Sequence, residues 1–437
     1  MLIEFTVGNF RSFKEPVTLS MVAAKLTATD PQIDINNTVQ VDDDLTLLTS
    51  AAVYGANASG KSNLVKALGL MRRLVIYSSI KSQVDDPINT IPFRLDHETE
   101  DKPSFFEVVF HLDGIPYRYG FEVTTKKVET EWLFNSPRGK EAKLFTREGS
   151  EISLSRTYRG GSSAKNLTRS NALFLSVAAQ FNGETATKVL GWFKSLNVIS
   201  GLEDRTYSGF TVKMFSKNST YRSSILELIQ GSDVGIDNVV IERTNINDPE
   251  AFPNDMPDEV KELILKQMKS EELVNFKSIH QKHCENGTIE EVEFAMREES
   301  EGTKKLFYLS GPIIDTLING KVLVIDEIEA RMHTLLSRKL ISLFNSPETN
   351  PKHAQLIFAT HDTNLLSNKF IRRDQIWFVE KDEFGASHLY SLAELKVRNN
   401  DTYEKDYLLG KYGGIPILGE VRQTIIELGQ DDEDAAN

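Results

Sequence analysis

The spacing of apolar positions changes character along the chain. It opens with alternation of period two over residues 2–7 and 17–22, which predicts two strands separated by the polar, turn-rich stretch 8–13. Residues 25–46 are rich in Asp, Asn and Thr and predict a loop. An apolar run over 47–54 then predicts a buried strand, and 63–71 carries its apolar residues at helical spacing. Alternation returns beyond residue 80. Residues 103–112 and 117–123 predict a hairpin around Asp113-Gly114, extended by 128–134 and 142–147 into an antiparallel meander. Helices are predicted over 173–179 and 186–196. Regularity fades over 203–270, where a helix at 223–230, a Pro/Asn/Asp-rich stretch at 245–257 and a charged helix at 258–269, N-capped by Asp258, follow one another. Residues 273–282 and 288–297 predict strands joined through the turn Glu285-Asn286-Gly287. From residue 300 the order is helix (303–318), strand (322–325), helix (334–344) and strands (355–359, 375–380), the alternation of a parallel sheet. The acidic end, 429–437, predicts fraying.

Between the buried strand and the helix beginning at Asn63 runs Gly55-Ala56-Asn57-Ala58-Ser59-Gly60-Lys61-Ser62. Strand, glycine loop, helix is the context of a phosphate-binding P-loop. The glycines let consecutive backbone N–H groups turn toward one centre, and the helix N-terminus adds partial positive charge. Lys61 would reach the β- and γ-phosphates and the Ser62 hydroxyl would ligate Mg²⁺. Ligands of parallel α/β sheets bind beyond the carboxyl ends of the strands, so Asp326-Glu327, ending the strand 322–325, is expected to meet this loop. Asp326 would hold Mg²⁺ through a water, and Glu327 would orient or deprotonate the attacking water. The next strand ends in Thr360-His361-Asp362, where His361 would donate to the γ-phosphate and sense hydrolysis. Upstream, Ser300 and Gly302 open the helix 303–318, another anion-binding arrangement whose plain alternative is a capped helix. The two sites do not readily face one nucleotide within one chain. Two chains paired head to tail would complete each other's site.

Composition narrows the choices. The chain has 437 residues, enough for more than one domain, and its net charge of −13 excludes a nonspecific polyanion binder. The charge is uneven: 138–169 holds eight Lys/Arg against three acids, and 232–301 eighteen acids against seven bases. The basic stretch reads as a solvated face, with contact to nucleic acid or an acidic partner as the alternative. There is no run of eighteen apolar residues and no signal peptide, and one cysteine, Cys284, fits a reducing cytosol. Cys284 lies near His280 and His283, but three such residues without a fourth ligand read as an ordinary hairpin.

Phe10-Arg11-Ser12-Phe13, the loop 55–62 with Asn63, residues 300–303, Asp326-Glu327 and Thr360-His361 occur in the order of ABC-type ATPase heads. The chain resembles most the SMC/RecF-like subgroup, and within it the stand-alone AAA-family ATPases of bacterial phage-defence loci. The stretch 407–416 is similar to that group's ending, whereas 203–270 has no match. The resemblance implies an α/β fold: a P-loop NTPase head of ABC/SMC type with an N-terminal antiparallel β subdomain and an inserted α+β lobe. The first part of the head would span 1–200, the lobe 201–295 and the rest of the head, with signature, Walker B and switch histidine, 296–437.

By the same resemblance ATP and Mg²⁺ are sandwiched between two heads. Arg11, Gly55, Asn57, Ser59, Gly60, Lys61, Ser62 and Asn63 of one chain would bind the nucleotide, Ser62 and Asp326 the metal, and Ser300, Gly302 and Thr303 of the other chain would supply the signature. Catalysis would rest on Glu327, His361 and Lys61, with 329–333 as the loop communicating between the two sites. Three departures stand out. Ala58 replaces a common glycine, Glu301-Gly302-Thr303 is a reduced signature, and Gln83 and Gln180 are both poor candidates for a Q-loop glutamine.

Ser300 follows Lys61 by 239 positions, more than a plain head needs and too few for a long coiled-coil arm. The expectation is a cytoplasmic, slowly hydrolysing ATPase, a homodimer or higher homo-oligomer, that regulates an effector nuclease encoded nearby. The alternative is a RecF-like DNA-repair ATPase binding DNA directly. A transporter subunit is disfavoured by the insertion and by Phe10–Phe13, and no membrane contact is expected.

Overall fold

The computed structural model describes residues 1–416 except 82, 138, 246–255, 258, 260, 262–271 and 399–400. Most of the predicted helix 258–269, most of 245–257 and all of the frayed end 429–437 lie outside the described residues. Strands in chain order are β1 (Leu2–Gly8), β2 (Val17–Ser20), β3 (Thr38–Gln40), β4 (Thr46–Leu48), β5 (Ser50–Tyr54), β6 (Ser104–Leu112), β7 (Ile115–Val123), β8 (Val128–Asn135), β9 (Ala142–Glu148), β10 (Glu151–Leu154) and β11 (Leu196–Ser200). They continue with β12 (Asn238–Asn245), β13 (Glu272–His283), β14 (Ile289–Ala295), β15 (Val322–Asp326), β16 (Gln355–Ala359), β17 (Ile376–Lys381) and β18 (Ser387–Ser391). The described helices are α1 (Pro31–Asn37), α2 (Lys61–Tyr77), α3 (His97–Glu100), α4 (Phe174–Gln180), α5 (Glu184–Ser195), α6 (Ser208–Lys217), α7 (Ser219–Gln230), α8 (Glu301–Asn319), α9 (Thr334–Phe344) and α10 (Tyr403–Leu408).

The central sheet has the order β11-β15-β16-β5-β17-β18, all parallel except β18. Its inner strands are continuous apolar runs because both faces are covered. Ala51, Val53, Val322, Val324, Ile357 and Ala359 point into a core shared with α2, α4, α5 and the antiparallel sheet. Their neighbours Ala52, Tyr54, Leu323, Ile325, Leu356 and Phe358 point into a second core with α8 and α9. The antiparallel sheet, β10-β9-β8-β7-β6-β1-β2, is the expected meander with the N-terminal pair added at its edge. A third sheet, β12-β13-β14, follows α6 and α7 in the chain, so the expected α/β fold, with a β subdomain and an α+β insertion, is the one observed.

Local corrections have local causes. The stretch 25–46 is not all loop: Asp30 accepts from Gln32 N–H (2.9 Å) and Pro31 starts α1, a cap-plus-proline signal missed in a polar stretch. The apolar run 47–54 is two strands, not one. β4 pairs antiparallel with β3, whereas β5 joins the parallel sheet; between them Thr49 donates its hydroxyl to Asn345 (2.8 Å). Residues 196–200, expected at a helix end or beyond it, form β11, the parallel partner of β15. α6 was not expected, and α7 begins four residues earlier than predicted, where the Asn218 carboxamide accepts from Thr220 and Tyr221 N–H.

Candidate nucleotide site

The loop after β5 is shaped by two glycines in conformations that L side chains avoid, Gly55 (φ 154°) and Gly60 (φ 125°). A Cβ on Gly60 would stand 2.5 Å from Ser387 Oγ and 2.9 Å from Ser12 Oγ, so a side chain there would displace both. Those serines lace the loop to its surroundings. Ser387 Oγ donates to Ser59 O (2.5 Å), Ser387 N–H to Ser12 O (2.7 Å), and Asn63 Nδ2 to Ser12 Oγ (2.9 Å). The turn 10–13 thus buttresses the loop, and Arg11 beside it has φ 53° and a buried Nε without a partner. Gly60 provides no capping side chain for α2, which leaves its first N–H groups without the acceptor that a Ser, Asp or Asn would supply.

Three parallel neighbours end on the same edge. β5 runs into the loop, β16 into Thr360-His361 and β15 into Asp326-Glu327, with β16 in the middle. At ordinary strand spacing, β15 and β5 are about 10 Å apart. Ile325 is level with Phe358, and Ala359 with Val53, which brings the three ends to nearly one height. Lys61 is buried, and its Nζ donates to the Gly55 and Ala56 carbonyls (2.8 and 3.1 Å). Burial lowers its pKa to about 8, against the opposing pull of Asp326, Glu327 and Glu329. Desolvation and the Lys61 ammonium hold His361 below its usual value, again opposed by Glu329, Glu327 and Asp326. Lys61, Asp326, Glu327, Glu329 and His361 therefore share one electrostatic site.

Several buried polar atoms here have no partner: Ser59 Oγ, Asp326 Oδ1, Glu329 Oε2 and Arg11 Nε. Such atoms are costly unless something binds them, so their chemistry suits a charged ligand and a cation. Ser62 and Asn63 are half-buried, while Asn57 and Ala58 are exposed; Ala58 has φ 62°. Glu329, expected only as part of a loop, has a role of its own. Its Oε1 accepts from His361 N–H (2.6 Å), so it fixes the backbone at that residue. Glu327 itself has φ 54°. Sequence reasoning passed over Ser387 and Gly201 entirely. A Cβ at Gly201 would collide with the Glu327 carbonyl oxygen, a close approach with no local sequence signal.

Ser300 caps α8, accepting from Thr303 N–H (3.1 Å), and its hydroxyl shares a hydrogen bond with Thr303 Oγ1 (2.8 Å). Gly302 packs on the loop after Glu327: a Cβ there would lie 2.9 Å from Arg331 O. The segment 407–416 reaches the P-loop strand. Tyr407 makes an edge contact with Tyr54 (6.0 Å) and stacks on Phe378 (5.4 Å), and its hydroxyl donates to Gly414 O (3.0 Å). His280, in β13, meets Glu299 Oε1 (2.6 Å) rather than Cys284. Among the described residues, no helix is long and apolar enough to cross a membrane.

The chain is similar to the SMC head domain from Thermotoga maritima, at 13% identity and a TM-score of 0.41, over 91% of this chain and 99% of that one. A second similar structure is an SMC head bound to the C-terminal winged-helix domain of ScpA, at 12% identity and a TM-score of 0.40, over 89% and 97%. No curated protein matches. Residues 50–367, from the first residue of β5 to just beyond His361, match the family described as "AAA domain, putative AbiEii toxin, Type IV TA system". With most of its length in that match, the chain belongs to this family of AAA domains.

Proposed function

We propose that the chain binds ATP with Mg²⁺ and hydrolyses it to ADP and phosphate, as an ABC-type ATPase that switches conformation in a head-to-tail dimer. The observation that carries this is the single edge on which the P-loop, Asp326-Glu327 and His361 meet, with Lys61 electrically coupled to all three acids there. Lys61, released from the Gly55 and Ala56 carbonyls, reaches the β- and γ-phosphates. Asp326, whose Oδ1 is otherwise unpartnered, and Ser62 would hold the magnesium, which would neutralise phosphate charge when bound. Glu327 accepts a proton from water as the water oxygen bonds to the γ-phosphorus and the β–γ bridging oxygen leaves on ADP. His361, whose pKa burial and Lys61 hold low in the free chain, donates to the γ-phosphate and reports its departure. Arg11, Gly55, Asn57, Ser59, Gly60 and Asn63 complete the nucleotide's surroundings.

The reading extends to assembly. Ser300, Gly302 and Thr303 cap the nucleotide of a second chain, so ATP closes the pair and release opens it. The head is residues 1–200 with 296–437, and the lobe 201–295 sits between. An effector nuclease encoded nearby, in antiviral defence, is the partner favoured by the phage-defence resemblance. The second reading, a RecF-like ATPase on DNA, rests on the basic stretch 138–169, where Lys140, Lys143, Arg156 and Arg159 are exposed. Salt-dependent DNA binding by the isolated protein would favour it.

The test is Glu327→Gln, with solution mass measured with and without ATP·Mg²⁺. The variant is expected to bind ATP, lose hydrolysis and accumulate as a closed dimer or larger assembly. Hydrolysis at the wild-type rate would remove Glu327 from its role.

A further inference from the structure

A second polar network lies outside the phosphate-facing groups, and no step above uses it. Lys305, in the second turn of α8, is fully buried. Its Nζ donates to the Gly201 carbonyl and to Tyr207 Oη (2.9 Å), and stands 3.5 Å from Asp204 Oδ1. Tyr207 in turn donates to Asp204 Oδ1 (2.5 Å). The other Asp204 oxygen accepts from Arg331 (2.7 Å), whose guanidinium also reaches Glu301 Oε2 (3.2 Å). The ammonium's three protons are all answered.

Burying an ammonium carries a desolvation penalty that pairing repays only with good geometry, and an apolar side chain would fill the same space without that penalty. Stability therefore does not explain a lysine here. What it holds does. Gly201 is clasped through both of its flanking peptides: its carbonyl accepts from Lys305, and its N–H donates to Asp326 O (2.6 Å). Its Cα lies so close to the Glu327 carbonyl that a Cβ has no room. Glu327 turns there into its left-handed conformation, and Arg331 follows four residues on at φ 62°. Burial pulls the Lys305 pKa to about 8, with Asp204 opposing, so the ammonium persists at neutral pH.

We infer that Lys305 is a positioning residue: by gripping Gly201 it fixes the backbone of Asp326-Glu327, and through Asp204 and Arg331 it ties that backbone to the start of α8, where Ser300 and Gly302 stand. A chain docking on Ser300 would then be felt at Glu327 through a rigid link. The inference rests on the reading of Glu327 as the base.

The test uses the full chain with Lys305→Met, alongside Tyr207→Phe, Lys305→Arg and Glu327→Gln. ATP·Mg²⁺ affinity, single-turnover hydrolysis with excess protein, and thermal melting are measured for each. Lys305→Met is expected to bind ATP within about threefold of wild type and to hydrolyse it about 10- to 100-fold more slowly, the scale of a misplaced catalytic group. Tyr207→Phe, which keeps the ammonium on Gly201, shifts turnover the same way by less. Turnover at the wild-type rate in Lys305→Met overturns the inference, as does an equal loss of affinity and turnover, the mark of general damage. If Lys305→Met does not fold, wild-type turnover in both Tyr207→Phe and Lys305→Arg overturns it. An active Glu327→Gln brings down the base assignment and the inference with it, whereas an inactive Glu327→Gln beside a normal Lys305→Met brings down the inference alone.

Discussion

At the scale of single residues, the backbone at the candidate site departs from what side chains prefer, and each departure has a measurable consequence. Ala58 holds a left-handed conformation that disfavours any residue with a Cβ by about 1–2 kcal/mol. Ala58→Gly relieves this but adds about 0.4–1 kcal/mol of unfolded-chain entropy. The relieved strain outweighs the added entropy, so denaturant unfolding is expected to find the variant more stable by up to about 1 kcal/mol. Gly201→Ala goes the other way. Its Cβ cannot coexist with the Glu327 carbonyl, and forcing the shift is expected to lower stability by about 1–3 kcal/mol in the same measurement. Lys61 sets a pH dependence. Its free pKa is about 8 and phosphate raises it on binding, so binding takes up a proton above pH 8. ATP affinity is therefore expected to be flat up to about pH 7.5 and to fall by up to about tenfold per unit above pH 8. Titration of Kd from about pH 7 to about pH 9.5 checks this, and Lys61→Ala should be weak and flat throughout.

Elements decide what those residues can reach. α4 is held to the antiparallel sheet by Glu131, which is fully buried. It accepts from Phe174 and Leu175 N–H (2.6 and 3.0 Å) and from the Tyr119 hydroxyl (2.9 Å) and faces Arg147 (3.7 Å). Desolvation pushes its pKa up while Arg147 and the helix N–H groups pull it down. Glu131→Ala would leave Arg147 uncompensated in the core and α4 without its acceptor. A loss of about 3–5 kcal/mol is expected from thermal or denaturant unfolding. Nothing in the local pattern of β8 marks this glutamate. It occupies a position of an alternating strand that reads as outward, and only packing of α4 against the sheet buries it.

At the scale of the whole molecule, the proposal that two chains share each site makes a prediction that no single-chain reading makes. Lys61→Ala should disable the P-loop side and Ser300→Arg the signature side, and each alone should be inactive. Mixed and allowed to exchange, half the dimers carry one of each, and in those one of two sites regains both intact halves. Activity is then expected to recover to about a quarter of wild type. Two inactive proteins that stay inactive when mixed would argue that each site lies within one chain.

Much of the architecture was legible in order of residues alone. The helices of 303–318 and 334–344, the strand 355–359 and the hairpin at Asp113-Gly114 are set by apolar spacing and turn chemistry, which are local properties. The P-loop is legible for the same reason, since its glycines, lysine and serine are contiguous. Strand order is not local. β5 and β16 lie side by side although about 300 residues separate them, and β11 became a strand only because β15 offered it a ladder. The partners that complete the site, Ser387 behind the loop, Glu329 on His361, and Gly201 and Lys305 behind Glu327, are ordinary residues in the sequence. Their chemistry arises from burial and from neighbours far along the chain, and those are settled only when the sheet closes.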